Sequence, residues 1–528
     1  MRRAGFLAAA ALLAACFAWL SWSAARRESA TFDESFNIVS GWTLARTGLR
    51  PPGQPNPPLL LRWLAWPLPA PGALKPHDDA AYRAAPRRYG LDFVYSNKVP
   101  PEVLLERARA ANLLLGVLLL LLTGWWAFRL GGPEAGLMSL IVFAFMPPLL
   151  AHSHLATADI GNALLCTAAL FLLWRGSRAP GALSAAAAGF ACGLALAGKY
   201  TAGLLVLMAP AYLYSWGGNR LKNSAAWGAA AVLGLALGCL PLSPLEWLRT
   251  AVAVARELEA GHPTYLLGAV SSSGTWYYFP LALLLKTPLP ALPLAVAGLY
   301  KVFSAEARDR LRYLAVPAAA WLLLGVVSNT QVGIRHILPV YPLLCVWAGL
   351  AAARLWETGR HGLRGALTIV FGWLMAGTLA ASPWHLSYFN ELAGGAGGGH
   401  RYLLDSNLDW GQGLKELGAF ARERGAEHIY LSYFGCGDPH AYGLKYAPVL
   451  MTACAKLPGD GLPPPAQARQ LLAVSVTNRL GVYYTPRILF GWLDGRPHDK
   501  IAGNSIWVYD VTGDSEALKL LSYPGLAQ

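Results

Sequence analysis

Long apolar runs, broken by short basic or Pro-rich stretches, fill the chain from its start to about Ala381. The first, Gly5 to Trp22, follows Arg2 and Arg3. Further runs lie at 110–129, 135–150, 156–174, 183–198, 200–216, 224–243, 277–300, 312–328, 336–353 and 364–381. Each is close to the ~20 residues that cross a bilayer as a helix, so the pattern predicts about eleven spans. The pair 183–198 and 200–216, parted by Lys199, sets the parity of that count.

Two stretches break the pattern. The loop at about 25–108 is rich in Pro and Arg and has little periodicity. Its middle, Leu59 to Leu68, is apolar and Trp-bearing but too short to cross, and is expected to lie along the membrane surface. After 382 the chain changes character. His428 to Phe434, Gln470 to Val476 and Ser505 to Val511 are expected to be strands, and Asn407 to Arg424 a helix with Leu414, Leu417, Phe420 and Ala421 at helical spacing. Gly394 to His400 is expected to be flexible linkage. The predicted fold is a polytopic α-helical membrane protein, residues 1–382, with a small C-terminal α/β domain, residues 383–528.

Composition agrees. The 528 residues are 55% hydrophobic and 14% charged, against roughly 25% charged in soluble proteins. Abundant Trp and Tyr suit the two membrane interfaces. A net charge of +14 with so few charges points to basic loops and an anionic lipid or phosphate substrate, not to nucleic acid. A lipoprotein-like box ends at Cys16, but apolar residues continue through Leu20, so an uncleaved first span with a cytoplasmic N-terminus is expected. Basic loops containing Arg175 and Arg178, Arg220 and Lys222, Lys301 with Arg308, Arg310 and Arg312, and Arg354 with Arg360 and Arg364 share one side, the cytoplasm. The first loop and the tail then lie outside. There Cys436 and Cys454 are a disulfide candidate; the other cysteines sit in apolar runs.

On that outer side separate spans contribute ionisable and polar residues. These are Asp33 and Glu34; His152, His154 and Asp159; Lys199; His262, Tyr265, Tyr277, Tyr278, Lys286 and Thr287; and Gln331, Arg335 and His336. Such charges cost roughly 2.5–3.5 kcal/mol each at a span centre, so their gathering at one leaflet suggests a site. Carboxylates can take a proton from a hydroxyl, and Lys and Arg can neutralise a phosphate. Plainer roles stay open: Asp159 also complements a helix dipole, and Lys199 also snorkels to head groups. No zinc spacing, phosphate loop or dinucleotide fingerprint is present.

The ordered motifs FDESFN with NPPLL, PPLLAHSHLATAD, GLALAGKYTAGLL, GHPTYLLGAVSSSGTWYYFPLALLLKTP and GIRHILPVYP, then SYFNELAGG and RYLLDSNLDWGQGL, span most of residues 30–440. They resemble the GT-C class of membrane glycosyltransferases, specifically the family 39-like enzymes that depend on a phospholipid carrier. That group includes protein O-mannosyltransferases and lipid A aminoarabinose transferases. The resemblance implies an inverting hexosyl- or pentosyltransferase that takes its sugar from a polyprenyl-phosphate donor. The acceptor would be an extracytoplasmic glycan, lipid or protein, and the location a bacterial inner membrane. It implies that Asp33 is the base, or binds a divalent cation (Mg or Mn) together with Glu34. Asp159 would be a second acid, and Lys199 and Arg335 would lie near the carrier phosphate. His336, His154, Tyr278 and Lys286 complete the substrate-binding candidates. No β-trefoil-like repeat is present. Competing readings are a lipid-linked sugar transporter or flippase, for which internal repeats are lacking, and a non-catalytic membrane scaffold.

Overall fold

The computed structural model describes residues 3–300, 311–454, 459–460, 463–465 and 467–522. Helices fall on every apolar run. Among the described residues, Ala4–Arg27, Pro101–Ala144, Asp159–Arg178 and His361–Ala380 are long and apolar enough to cross a membrane. Arg220–Cys239 with Pro244–Glu259, bent by 82°, makes a fifth candidate. The expected count of about eleven is not reached by this measure, for two physical reasons. The runs 110–129 and 135–150 join in the 44-residue Pro101–Ala144, whose backbone breaks at Gly132, just before Pro133. Ala182–Gly198, Tyr200–Ser215 and Arg312–Val326 are shorter apolar helices. Lys301, Arg308 and Arg310 lie outside the described residues.

Helix packing in this part relies on small side chains. Ala182–Gly198 lies so close to Arg220–Cys239 that a Cβ on Gly189 would sit 2.1 Å from the Trp227 carbonyl, and one on Gly193 2.1 Å from that of Ala231. This contact fixes the end of Ala182–Gly198, where Lys199 follows.

The first loop is more ordered than its pattern suggests. It forms helices Glu34–Thr47, Pro58–Ala65, Asp79–Ala84 and Pro86–Tyr95 around Phe36, Ile38, Val39, Trp42, Leu64, Tyr82, Phe93 and Val94. Glu34–Thr47 shows no helical period because it is covered on all sides: every residue from Glu34 to Leu44 is buried. The expected surface segment is the helix Pro58–Ala65.

The tail carries a five-stranded sheet with the spatial order Lys445–Pro448, His428–Ser432, Leu471–Ser475, Ile506–Asp510, Lys500–Ala502. The first three strands pair in parallel, and the rest antiparallel. Alternation places Ile429 and Leu431 in one core with Leu414 and Leu417 of the helix Leu414–Glu423. Tyr430 and Leu472 join Phe490 and Leu493 on the opposite face. The glycine-rich stretch is a short helix, Gly395–Gly399, rather than a linker. A Cβ on Gly399 would come within 2.3 Å of the Phe389 ring, so these glycines serve close packing.

Cys436 and Cys454 form a disulfide across a separation of 18 residues. A loop of that size stabilises by restricting the unfolded chain. Replacing both cysteines by serine is expected to lower the tail's stability by about 2–4 kcal/mol, measurable as an earlier thermal transition of the purified protein.

Candidate functional site

Adjacent Asp33 and Glu34 take different roles. Glu34 is fully buried, and Arg109 is almost so. Arg109 Nε donates to Glu34 Oε1 at 2.8 Å and Nη2 to Oε2 at 2.7 Å. The guanidinium's remaining N–H groups reach the carbonyls of Ala25, Glu28 and Ser29 at 2.6–3.0 Å. Glu34 also accepts from the backbone N–H of Thr31 and of Ala156, each at 2.8 Å. Burial alone would raise the Glu34 carboxyl, but Arg109 and these donors hold it below its ordinary value. With both oxygens committed, Glu34 is a structural anchor, which corrects its expected part as a catalytic acid or metal ligand.

Asp33 directly precedes that helix, and its side chain makes no capping hydrogen bond. It is partly open to solvent and lies between two guanidinium groups, Arg87 Nη1 at 3.6 Å and Arg335 Nη2 at 3.7 Å. Arg335 Nη1 reaches Asp159 Oδ2 at 3.9 Å, and Lys199 pairs with the other Asp159 oxygen. Asp159 opens the helix Asp159–Arg178, where the dipole favours a negative charge. Asp33, Arg335, Asp159 and Lys199, drawn from four separate segments, thus form one chain of ion pairs. Beyond Lys199, Tyr200 shares a hydrogen bond with Thr250 (2.7 Å) and accepts one from Arg50. Those two residues help line a groove of about 420 Å³ that also includes Gln54, Leu242 and Arg249.

The hydrogen bonds of the other expected site residues go to other partners. His154 is buried against Glu28 (3.0 Å) and Ser21 (3.2 Å). Tyr278 accepts from the Asn407 amide at 2.9 Å. Lys286 is buried, donates to the carbonyls of Leu386 and Asn407, and lies over the Phe389 ring. It holds the tail to the membrane part, which corrects its expected contact with substrate. His336 leaves its Nε2 without a hydrogen-bond partner and sits near Phe279.

A divalent cation fits Asp33 and Glu34 poorly. The Glu34 oxygens are taken, and the Asp33 oxygens face two cationic groups. Among the described residues no three His, Cys, Asp or Glu side chains gather as a metal site.

Sequence reading missed Arg87, Arg109 and the tail turn 405–410. A charge at the start of an apolar run was the available signal for Arg109. Ser406 accepts from Arg335 Nε at 3.1 Å, and the Trp410 ring lies 4.6 Å from its guanidinium carbon. Asp405, at φ 55°, accepts from the Tyr483 hydroxyl. Buried Asp409 accepts from the Thr477 N–H through Oδ2, while its Oδ1 has no partner.

Fold and site together define a helical membrane protein with an acid–base array where its helices meet a folded tail. Residues 86–242 match the family model described as dolichyl-phosphate-mannose-protein mannosyltransferase. That stretch holds Arg87, Arg109, Asp159 and Lys199 and supports the resemblance carried by the motifs. No curated protein matches the chain. Among solved structures it is similar to ArnT from Cupriavidus metallidurans bound to undecaprenyl phosphate, at 12% identity and TM-score 0.48, covering 96% of this chain and 98% of that one. The apo state of that ArnT gives 14% identity and TM-score 0.47, covering 94% and 97%. The oligosaccharyltransferase AglB from Archaeoglobus fulgidus, in complex with an inhibitory peptide and a dolichol-phosphate, gives 13% identity and TM-score 0.47, covering 71% and 56%.

Two outcomes follow. Glu34→Gln leaves Arg109 buried without its charge partner and is expected to cost about 3–5 kcal/mol, read as a large fall in melting temperature. Burial pushes the Asp409 carboxyl up to about 7. The folded state therefore keeps a proton that the unfolded chain releases near pH 4. Stability from this group is full below that pH and is lost as pH rises towards 7, at up to about 1.4 kcal/mol per unit. Melting temperatures of the Asp409→Asn protein between pH 5 and 8 are expected to vary less than those of the wild type.

Proposed function

We propose that this chain is an integral membrane glycosyltransferase that moves a sugar from a polyprenyl phosphate to an acceptor hydroxyl on the outer side of a bacterial inner membrane. The observation that carries this reading is the chain of ion pairs running from Asp33 through Arg335 and Asp159 to Lys199. Asp33 has the features of a general base: it is partly open, ion-paired without a capping hydrogen bond, and beside the membrane. It takes the proton of the acceptor hydroxyl as that oxygen attacks the anomeric carbon. The bond from that carbon to the phosphate oxygen breaks with its electron pair, and the carrier phosphate departs. A single displacement of this kind inverts the anomeric centre.

Arg87, Lys199 and Arg335 bring three cations to a site whose acids are Asp33 and Asp159, with Asp405 also facing Arg335. Such cations suit the charge arriving on the leaving phosphate. Asp159 holds Lys199 and Arg335 towards it, and Glu34 holds the loop that bears Asp33. The groove beside Tyr200 suits the carrier. It lies against Pro244–Glu259, which exposes Leu245, Leu248, Val252 and Leu258 as a surface-lying helix does. A disulfide in the tail supports the outer, oxidising side. No step is routed through a metal ion, and the acceptor is a glycan, a lipid or a protein.

The test begins with mass spectrometry of lipids, glycans and surface proteins from cells with and without this chain, to find the missing sugar. The purified protein is then assayed on that donor and acceptor. Asp33→Asn is expected to lower turnover by at least about 100-fold with little change in melting temperature. Unchanged turnover would remove Asp33 from this role. Donor that crosses liposomes without product would replace the enzyme by a transporter.

A further inference from the structure

The tail turn 405–410 reaches into the ion-pair chain, and one of its residues touches both Arg335 and the residue before Asp33. The Trp410 side chain is 2% exposed, and the Arg335 guanidinium carbon lies over its ring, 4.6 Å from the centroid. Its backbone carbonyl accepts the N–H of Phe32, the residue before Asp33, at 2.9 Å. One residue of the tail therefore holds the loop of the base with its main chain and the phosphate-facing cation with its ring.

The turn itself is fixed. Ser406 donates to the Val332 carbonyl at 2.6 Å while accepting from Arg335. The Asn407 side chain accepts from the Ile334 N–H at 3.0 Å and donates to Tyr278. Gln412 accepts from the Trp410 N–H at 2.8 Å and passes its own amide to Ser387 and Leu408. The two segments are so close that a Cβ on Gly333 would sit 2.2 Å from Ser406 Oγ. With its guanidinium carbon held over the ring, Arg335 turns Nη2 to Asp33 and Nη1 to Asp159.

We propose that Trp410 is a positioning residue that sets Arg335 in register with Asp33, so that the tail is a working part of the transfer site. Without the indole, Arg335 has one side uncovered and can swing off the two acids, and the cation no longer meets the phosphate. This rests on the reading of Arg335 as a phosphate-binding cation.

The experiment uses the full-length protein in lipid nanodiscs with undecaprenyl phosphate as the probe, comparing Trp410→Leu, Trp410→Phe, Arg335→Ala and the double variant Trp410→Leu/Arg335→Ala. Trp410→Leu is expected to weaken probe binding by roughly tenfold, and Trp410→Phe, which keeps an aromatic face, by much less. The double variant is expected to bind no more weakly than Arg335→Ala alone, since the ring acts through that arginine. Trp492→Leu, made in the same domain beside Arg496, is expected to lower the melting temperature and leave affinity unchanged, which separates loss of register from loss of folding. Unchanged affinity in Trp410→Leu, or effects of Trp410→Leu and Arg335→Ala that simply add, would overturn the proposal. If the wild type does not bind the probe, the proposed function fails. Trp410 is then judged on melting temperatures of the same four variants, where additive shifts overturn its coupling to Arg335 and non-additive shifts support it.

Discussion

A buried carboxylate and guanidinium, Glu34 with Arg109, hold the site's framework together. Removing either charge from water is expensive, and the pair survives only because each polar atom finds a partner. Those partners come from distant parts of the chain: the end of the first helix at Ala25, the loop carbonyls of Glu28 and Ser29, and the turn N–H of Ala156. One ion pair thereby fixes the start of the helix behind Asp33 and the turn that leads to Asp159. Asp33 and Asp159 are held in relation to each other by a third acid, Glu34, whose own oxygens are fully hydrogen-bonded.

The contacts of Asp33 are arranged on the opposite principle. Asp33 and Arg335 sit at ion-pair distances of 3.6–3.9 Å from their charged partners, although Arg335 also donates to Ser406 at 3.1 Å, and Asp33 remains partly open. Saturated contacts build the frame, and looser contacts leave Asp33 partly open. The tail contributes to both. Lys286 and Asn407 bind it to the membrane part, while Ser406 and Trp410 face the cation.

Much of this was legible in the sequence, and the gaps have physical causes. Apolar runs marked the long helices of the membrane part, though not Pro244–Glu259 or the helices of the first loop other than Pro58–Ala65, because burial in lipid or protein leaves a compositional trace. Strand alternation marked His428–Ser432, Leu471–Ser475 and Ile506–Asp510. The helix Glu34–Thr47 left no periodic trace because it has no solvent face. The edge strands Lys445–Pro448 and Lys500–Ala502 are too short, at four and three residues, to stand out from their loops. Among site residues, Asp33, Asp159, Lys199 and Arg335 were found from local motifs and are joined in space. His154, Tyr278 and Lys286 came from the same kind of motif and make their hydrogen bonds to Glu28, Asn407 and the Leu386 and Asn407 carbonyls.

The amino-acid sequence by itself determined the membrane class, the broad division into helical part and sheet-bearing tail, and which acids and bases were available. Only the tertiary structure decided which charge answers which. Neighbours at the start of a helix point about 100° apart, so Asp33 and Glu34, adjacent in the chain, face different surroundings. One looks towards Arg87 and Arg335 at the opening and the other into a closed pocket with Arg109. Pairing over a separation of 75 residues, the same for Glu34 with Arg109 and for Arg335 with Trp410, depends on how helices and tail pack. No local pattern of residues encodes that.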